Sequence, residues 1–264
     1  MMGRRSPFKL LLVWGAVILA AALMACNLPI IIIIQTATPV ATITPSPTPT
    51  LLYTPNAAFS KESLNSKDQL SKWKMIIRDD FTSNLNRWVV GAEETSEALF
   101  IRQVVDAQYL WEIRGKRPVF SRSLFSSDPV GDFALSVDVK RAGGSLKGFY
   151  GLIFRVQDNG NLYYFGISDL ENYSFTALID GKWNLISKSA QKTSAVKTGE
   201  INHIGVIGEG SLYRLFINGV EVGKFTDRRL VKGHVGLAAD LSQAGEDIFL
   251  EFDNFELRTP AQVK

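Results

Sequence analysis

The sequence predicts an all-β fold of two packed antiparallel sheets, and three observations support that prediction. Short segments alternate apolar and polar residues with a period of two, which is typical of half-buried strands. The clearest of these segments are 134–139, 150–156, 163–167 and 173–179. Asn-Gly at 218–219 and Asp-Gly at 180–181 favour two-residue type I′ hairpins between strands. No long amphipathic helical pattern follows Trp73, so many short strands and tight turns indicate a β-sandwich.

The first 25 residues have the plan of a lipoprotein signal peptide. A basic start precedes an apolar run over 10–25, and Leu-Met-Ala-Cys at 23–26 resembles a bacterial lipobox, in which the cysteine receives diacylglycerol. Cys26 is the only cysteine, so no intrachain disulfide can form. The alternative is an uncleaved transmembrane helix, because apolar residues continue through 30–34. Both interpretations place the remaining chain outside the cytoplasm, and we expect a lipid anchor on Cys26 in the bacterial cell envelope.

The charge balance argues against nucleic acid as a partner. The chain has 29 basic and 26 acidic residues, and three of the basic ones precede Cys26. A mature chain that begins at Cys26 therefore carries 26 charges of each sign. A neutral chain lacks the positive field that binding to a phosphate backbone requires.

The rest of the chain divides into a stalk, a short extension, one domain and a tail. Residues 26–58 are rich in Thr and Pro, and such a stalk is extended at about 3.1 Å per residue, so its Pro-rich part can reach roughly 60 Å. The extension 59–75 carries Leu and Trp among polar residues and is a candidate for a short helix that packs on the domain. We place the sandwich at 76–258 and the tail at 259–264.

Seven short motifs within the domain resemble a known group of extracellular jelly rolls. In chain order they are 79–81 (DDF), 151–158 (GLIFRVQD), 161–165 (NLYYF), 180–183 (DGKW), 216–219 (FING), 233–237 (GHVGL) and 252–255 (FDNF). The group comprises the concanavalin A-like, laminin G-like domains of bacteria that are related to the 3-keto-disaccharide hydrolase domain. The resemblance implies a jelly roll of two antiparallel sheets, with glycan contact on the concave face or its rim. It leaves function open, because one fold hosts many functions.

A triplet of carboxylates near the end of the chain superficially resembles a catalytic strand. Glu251, Asp253 and Glu256 match the E-x-D-x-x-E pattern of family 16 glycoside hydrolases, where alternate carboxylates act as nucleophile and acid/base. The apolar phase changes within this stretch, which predicts a bulge near 253–254. We therefore expect these carboxylates to be structural or solvent-facing, and we assign no catalytic residue.

Metal and cofactor signals are weak. His203 and His234 are the only histidines, and neither has a second histidine or cysteine at ligand spacing, so no zinc-type site is predicted. The loop from Asp158 to Asn161 offers oxygen ligands, and calcium is one interpretation, whereas a polar turn between strands explains the same residues. We predict no cofactor.

The strand phases predict a ligand-binding face that points away from the core. Alternation places five residues on that face: Arg155, Tyr164, Ser174, Thr176 and Trp183. Sugars are bound by such mixtures, in which an aromatic ring covers the apolar sugar face and polar groups bond the hydroxyls. The alternative is an ordinary solvated sheet. If the face does not bind, the loops around Asp158 and Asp240 are the next candidates. Because an outer-face residue leaves no core cavity, replacing Tyr164 is expected to affect binding more than stability.

These observations favour a surface-tethered, non-catalytic module that recognises a glycan or another extracellular or envelope ligand. The first alternative, implied by the resemblance, is a lyase or hydrolase acting on 3-keto-glucosides or related saccharides. The second alternative is a structural envelope protein with no small ligand.

Overall fold

A computed structural model of the chain describes Leu70, residues 72–187 and residues 189–261. The signal peptide, Cys26, the stalk and residues 59–69 of the predicted helix lie outside the described residues. Within the described residues, no helix has the length and apolar character needed to cross a membrane.

Strands connected by turns and loops make up the described domain. They are β1 (Lys74–Asp79), β2 (Gly91–Glu94), β3 (Ala98–Val105), β4 (Gln108–Gly115), β5 (Val119–Leu124), β6 (Phe133–Gly144), β7 (Phe149–Val156), β8 (Leu162–Ser168), β9 (Asn172–Ile179), β10 (Lys182–Leu185), β11 (Gln191–Lys192), β12 (Asn202–Glu209), β13 (Leu212–Ile217), β14 (Val220–Thr226), β15 (His234–Leu241) and β16 (Asp247–Thr259).

The strands form two antiparallel sheets, as predicted. Sheet A has the order β14-β13-β12-β6-β16-β4-β3-β2, with β1 also paired to β16. Sheet B has the order β10-β9-β8-β7-β15-β5, with β11 also paired to β9. The non-consecutive neighbours are the crossovers expected of a jelly roll, and the fold is the concanavalin A-like sandwich that the motifs implied.

Alternate residues of both sheets fill the core between them, so the predicted period of two is confirmed. Tyr150, Leu152 and Phe154 of β7, for example, are fully buried in one cluster with residues of sheet A. Both predicted tight turns are present, because Asn218 and Asp180 have φ of 49° and 50° and each is followed by a glycine with positive φ. Residues with positive φ at both central positions define the type I′ geometry.

Two of the bulges in the sheets bear on the predictions. The one predicted near 253–254 is confirmed, because the register of β16 shifts between Asp253 and Glu256 and Asn254 has φ of 51°. A second bulge lies in β7, where the register with β15 shifts and Arg155 has φ of 50°. The second bulge was not predicted, and it changes the direction of a predicted site residue.

The chain enters the domain over the outer face of sheet A. Trp73 is 9% exposed and packs with Ile207 and Phe216, while Leu70 and Ala134 contact the same cluster. The end of the predicted extension therefore packs on the domain.

Candidate functional site

The face of sheet B that points away from the core carries aromatic and polar side chains. Tyr164 and Trp183 lie on this face, and each is opposite another outward residue, Thr176 and Leu178 respectively. Asp240 of β15 is opposite Phe120 of β5 and so joins the same face.

Two aromatic contacts show that this face is concave. Phe120 and Trp183 lie on β5 and β10, the two edge strands of the β10-to-β5 order. Five strand spacings would separate these edges by about 24 Å in a flat sheet. The two ring centroids are nevertheless 4.9 Å apart, and Tyr164 lies beneath them, 5.2 Å from Phe120 and 6.4 Å from Trp183. The sheet must therefore curl around Tyr164, and we call this surface the concave face.

Tyr164 forms the floor of the concave face. Its ring lies over Gly166, two residues along β8, where an added Cβ would come within 2.8 Å of the phenol oxygen. The residue is 3% exposed, and its hydroxyl has no hydrogen-bond partner among the described residues. Burial, followed by the charge of Asp240, raises the pKa of this phenol well above its usual value. A buried hydroxyl without a partner is costly in a folded protein, so a ligand that reached this phenol would complete its hydrogen bonding.

Asp240 is the carboxylate of the concave face. It lies between Phe120 and Phe149 in the sheet register, so apolar side chains surround it on both sides. Burial, and to a lesser extent the charge of Glu246, raises the pKa of the Asp240 carboxyl to about 6. At neutral pH the group is ionised and accepts hydrogen bonds strongly in a poorly solvated setting.

Further hydroxyls line the same face. Thr176 is directly opposite Tyr164 in the register, and its hydroxyl is buried without a partner among the described residues. The hydroxyl of Ser168 is also buried without a partner among the described residues. Ser174 lies opposite Gly166 and is 8% exposed. Several buried hydroxyls that have no partner among the described residues thus share this face.

The structure brings together most of the predicted face. Tyr164, Ser174, Thr176 and Trp183 share it, and Trp183 remains 47% exposed at the edge. Asp240, predicted as part of a loop alternative, lies on strand β15 and belongs to the concave face itself. The expectation that Tyr164 has little packing role was wrong, because its ring packs in an apolar cluster with Ile153.

The predicted position of Arg155 was wrong. Its side chain is 1% exposed and donates from Nη1 to the Tyr213 hydroxyl and the Leu230 carbonyl, both at 2.6 Å. The guanidinium carbon also lies 5.0 Å from the centroid of the Tyr213 ring. The β7 bulge is the reason, because one extra residue reverses the alternation and places Val156 with Tyr164 instead. Arg155 therefore has a structural role.

Asp158 does not join the concave face. It is exposed in the loop between β7 and β8, whose turn is held by hydrogen bonds from Asn161 to Asn159 and Asp180. Within the part of the chain that the structure describes, no group of three or more acidic, His or Cys side chains is placed to hold a metal ion. Calcium is the alternative interpretation of this loop, and the hydrogen bonds of Asn161 fit the polar turn.

Sequence reasoning missed Phe120. Its strand, 119–124 (VFSRSL), alternates with a period of two, which was the available signal. The phase was ambiguous, because the buried set contains Ser121 and Ser123 while Phe120 and Arg122 point outward. Only the packing partner on β10 shows that Phe120 belongs to the site.

The carboxylate triplet lies on the outer face of sheet A, where the first and last members form ion pairs. Glu251 is 3.6 Å from Lys140, and Glu256 is 2.8 Å from Arg78. Asp253 accepts a hydrogen bond from the Asn254 backbone, and burial raises its pKa to about 6. These contacts are consistent with a structural role.

Both histidines also have partners. Nδ1 of His203 lies 2.6 Å from Asp138 on the outer face of sheet A. Nδ1 of His234 lies 3.0 Å from the Ser127 carbonyl at the end of β15. His203 lies on the other sheet, whereas His234 is opposite Val156 at the start of β15 and shares the alternation phase of Asp240.

Comparison with known families identifies the domain. Residues 60–258 match the 3-keto-alpha-glucoside-1,2-lyase-like domain. This match covers most of the chain, so the chain belongs to that carbohydrate-related family.

Two solved structures with TM-scores above 0.5 support the same fold. The laminarinase catalytic domain of Thermotoga maritima has a TM-score of 0.52 at 8% identity, covering 72% of this chain and all of that one. The endo-β-1,3-glucanase of Pyrococcus furiosus has a TM-score of 0.51 at 10% identity, covering 72% and 95%. The carbohydrate binding module CBM66 of Bacillus subtilis has a TM-score of 0.47 at 17% identity, covering 71% and 96%. Comparison with curated proteins finds no match.

Proposed function

We propose that the concave face of sheet B binds a carbohydrate and that the chain is a non-catalytic binding module. The observation that carries the proposal is the set of buried hydroxyls of Tyr164, Ser168 and Thr176, which have no hydrogen-bond partner among the described residues, together with the aromatic cover over Tyr164. Membership of a carbohydrate-related family agrees with this chemistry.

Each group has a defined role toward a sugar. The half-exposed indole of Trp183 offers a flat apolar surface to the C–H face of a pyranose ring. The Tyr164 and Thr176 hydroxyls donate to, or accept from, sugar hydroxyls. The Asp240 carboxylate accepts two sugar O–H groups at once, which fixes the orientation of the ring.

A glycan array probed with the full-length protein in detergent tests this proposal. We expect binding to at least one glycan class, and a drop of about tenfold or more in affinity for Trp183→Ala, as buried interface aromatics commonly give. Glu256→Gln, on the opposite sheet, is the matched control and should bind like the parent. Binding that survives both Trp183→Ala and Tyr164→Phe would place the site elsewhere. Absence of any binding would favour the alternative that the chain is a structural envelope protein without a small ligand.

We further propose that Cys26 carries a lipid that tethers the domain to the membrane outside the cytoplasm. The basic start, the apolar run and the single cysteine support it. Cys26→Ser should abolish labelling by a fatty-acid analogue and leave an uncleaved precursor. An unlabelled parent protein whose N-terminus is Met1 would instead indicate a transmembrane anchor.

A lyase that cleaves 3-keto-glucosides is the second candidate, and the pairing of Asp240 with Tyr164 favours it. Elimination beside a ketone needs a base for the C2 proton and an acid for the oxygen that leaves C1. Above about pH 6 the Asp240 carboxylate is available to remove the proton, while the Tyr164 phenol keeps its proton for the leaving oxygen. The C1–O bond breaks as the C1=C2 double bond forms.

Mass spectrometry of a 3-keto-α-glucoside incubated with the protein separates the two candidates. A lyase gives an unsaturated product without added water, its rate rises as pH increases through about 6, and Asp240→Asn abolishes turnover. Binding without turnover by the parent protein at every pH would reject the lyase and leave the binding module.

A further inference from the structure

We propose that Phe120 and Trp183 form a clasp over the concave face, and that the site therefore takes the end of a glycan chain rather than an internal segment. This inference rests on the proposed carbohydrate binding. The clasp is the contact between the two rings, whose centroids are 4.9 Å apart at an interplanar angle of 71°.

The clasp closes the path across the strands. A glycan that lies across the concave face must pass from one edge strand, β10, to the other, β5. Phe120 and Trp183 extend from these two edges and meet above Tyr164, so the path is interrupted directly over the floor of the site. An internal segment needs an entrance and an exit on opposite sides.

A buried apolar plug closes one direction along the strands. Beyond Tyr164, toward the start of β8, the concave face is filled by Leu162 and Val156, which are at most 2% exposed, and Ile153 lies directly opposite Tyr164. In the other direction Gly166 lies beneath the Tyr164 ring and next to Phe149, and Ser174 opposite it is only 8% exposed. Among the described residues, side chains therefore fill the face in both directions along the strands, and a ligand must enter where the clasp parts.

The clasp must part when a ligand enters, because Tyr164 beneath it is only 3% exposed. Trp183 is suited to move, since it lies on a four-residue edge strand after a two-residue turn and is 47% exposed. A terminal sugar ring that enters beneath the indole exchanges one aromatic contact for another, so opening has a low cost.

The test compares polymers with their own fragments. The full-length protein in detergent is titrated with a panel of α- and β-glucans, each as the intact polymer and as an equal mass of its enzymatic hydrolysate. Recognition of chain ends predicts that the apparent Kd per gram falls about tenfold or more on hydrolysis, because ends become more numerous at constant mass. Equal apparent Kd values for polymer and hydrolysate would overturn the clasp while leaving carbohydrate binding intact.

Variants assign the effect to the clasp. Phe120→Ala and Trp183→Ala each remove one half of it and should bring the ratio of polymer to hydrolysate affinity to about one, whatever they do to absolute affinity. Leu185→Ala is the matched control, because Leu185 is an exposed apolar residue on the same strand and face as Trp183, and it should keep the parental ratio. A parental ratio in both clasp variants would reject the inference. No binding of any glucan, polymer or hydrolysate, by parent and variants would reject carbohydrate binding and the clasp together.

Discussion

The outer faces of the two sheets use polar residues in opposite ways. On sheet A, carboxylates have close partners, as in Glu256 with Arg78 and Asp138 with His203. On the concave face of sheet B, the hydroxyls of Tyr164 and Thr176 are buried and have no partner among the described residues. Polar groups that satisfy one another stabilise a surface, whereas buried groups left unsatisfied reduce stability unless a ligand completes them.

The surroundings of one aspartate on each sheet, Asp253 on sheet A and Asp240 on sheet B, differ in the same way. Burial raises the pKa of both Asp253 and Asp240 to about 6. Asp253 accepts a backbone hydrogen bond and has other carboxylates nearby, while Asp240 is next to aromatic side chains and Tyr164. A raised pKa therefore does not identify a site by itself, and the surrounding unpartnered hydroxyls distinguish the two.

The largest effect is expected at the floor of the concave face. Tyr164→Ala should lower the free energy of unfolding by about 3–5 kcal/mol, because it leaves a cavity under Phe120 and Trp183. Tyr164→Phe keeps the ring and should leave stability unchanged or higher, while binding of glycans weakens about tenfold. Urea unfolding and glycan titration of both variants measure the two effects. A large loss of stability in Tyr164→Phe would mean that the hydroxyl has a structural partner.

Replacing one glycine on the outer face of each sheet tests the close packing of Tyr164 on Gly166. Gly166→Ala should cost about 1–3 kcal/mol and displace the Tyr164 ring, because the added Cβ would lie 2.8 Å from it. Gly205→Ala on sheet A should change stability by less than about 0.5 kcal/mol, because its nearest neighbours would be 3.5 Å away. Equal unfolding midpoints for the two variants in urea would contradict the tight contact between Tyr164 and Gly166.

The parent protein and the Asp240→Asn variant should differ in how their stability depends on pH. The unfolded carboxyl ionises near pH 4 and the folded one near pH 6, so this group reduces stability as pH rises between those values. Asp240→Asn should therefore match the parent at pH 4 and exceed it by about 2–3 kcal/mol at pH 7. Asp253→Asn should show the same window, yet only Asp240→Asn should weaken glycan binding. Thermal unfolding across pH and a glycan titration check both expectations.

The smallest effect is expected from the carboxylate triplet on sheet A. Glu251→Gln and Glu256→Gln should each change stability by less than about 1 kcal/mol, because their ion pairs are partly exposed to solvent. Glycan binding and any turnover should stay within a few fold of the parent. A loss of about 10³ in kcat with the fold intact would instead assign acid/base or nucleophilic roles to these residues.

The sequence by itself determined the sandwich, both tight turns, the β16 bulge and the outward phase of Tyr164, Thr176 and Trp183. Those features depend on local periodicity and turn chemistry, which nearest neighbours along the chain specify. Only the tertiary structure decided that Phe120 meets Trp183 and that Arg155 turns inward. A contact between opposite edges depends on the curvature of a whole sheet, and a bulge depends on pairing with a distant strand, so neither leaves a clear local signal.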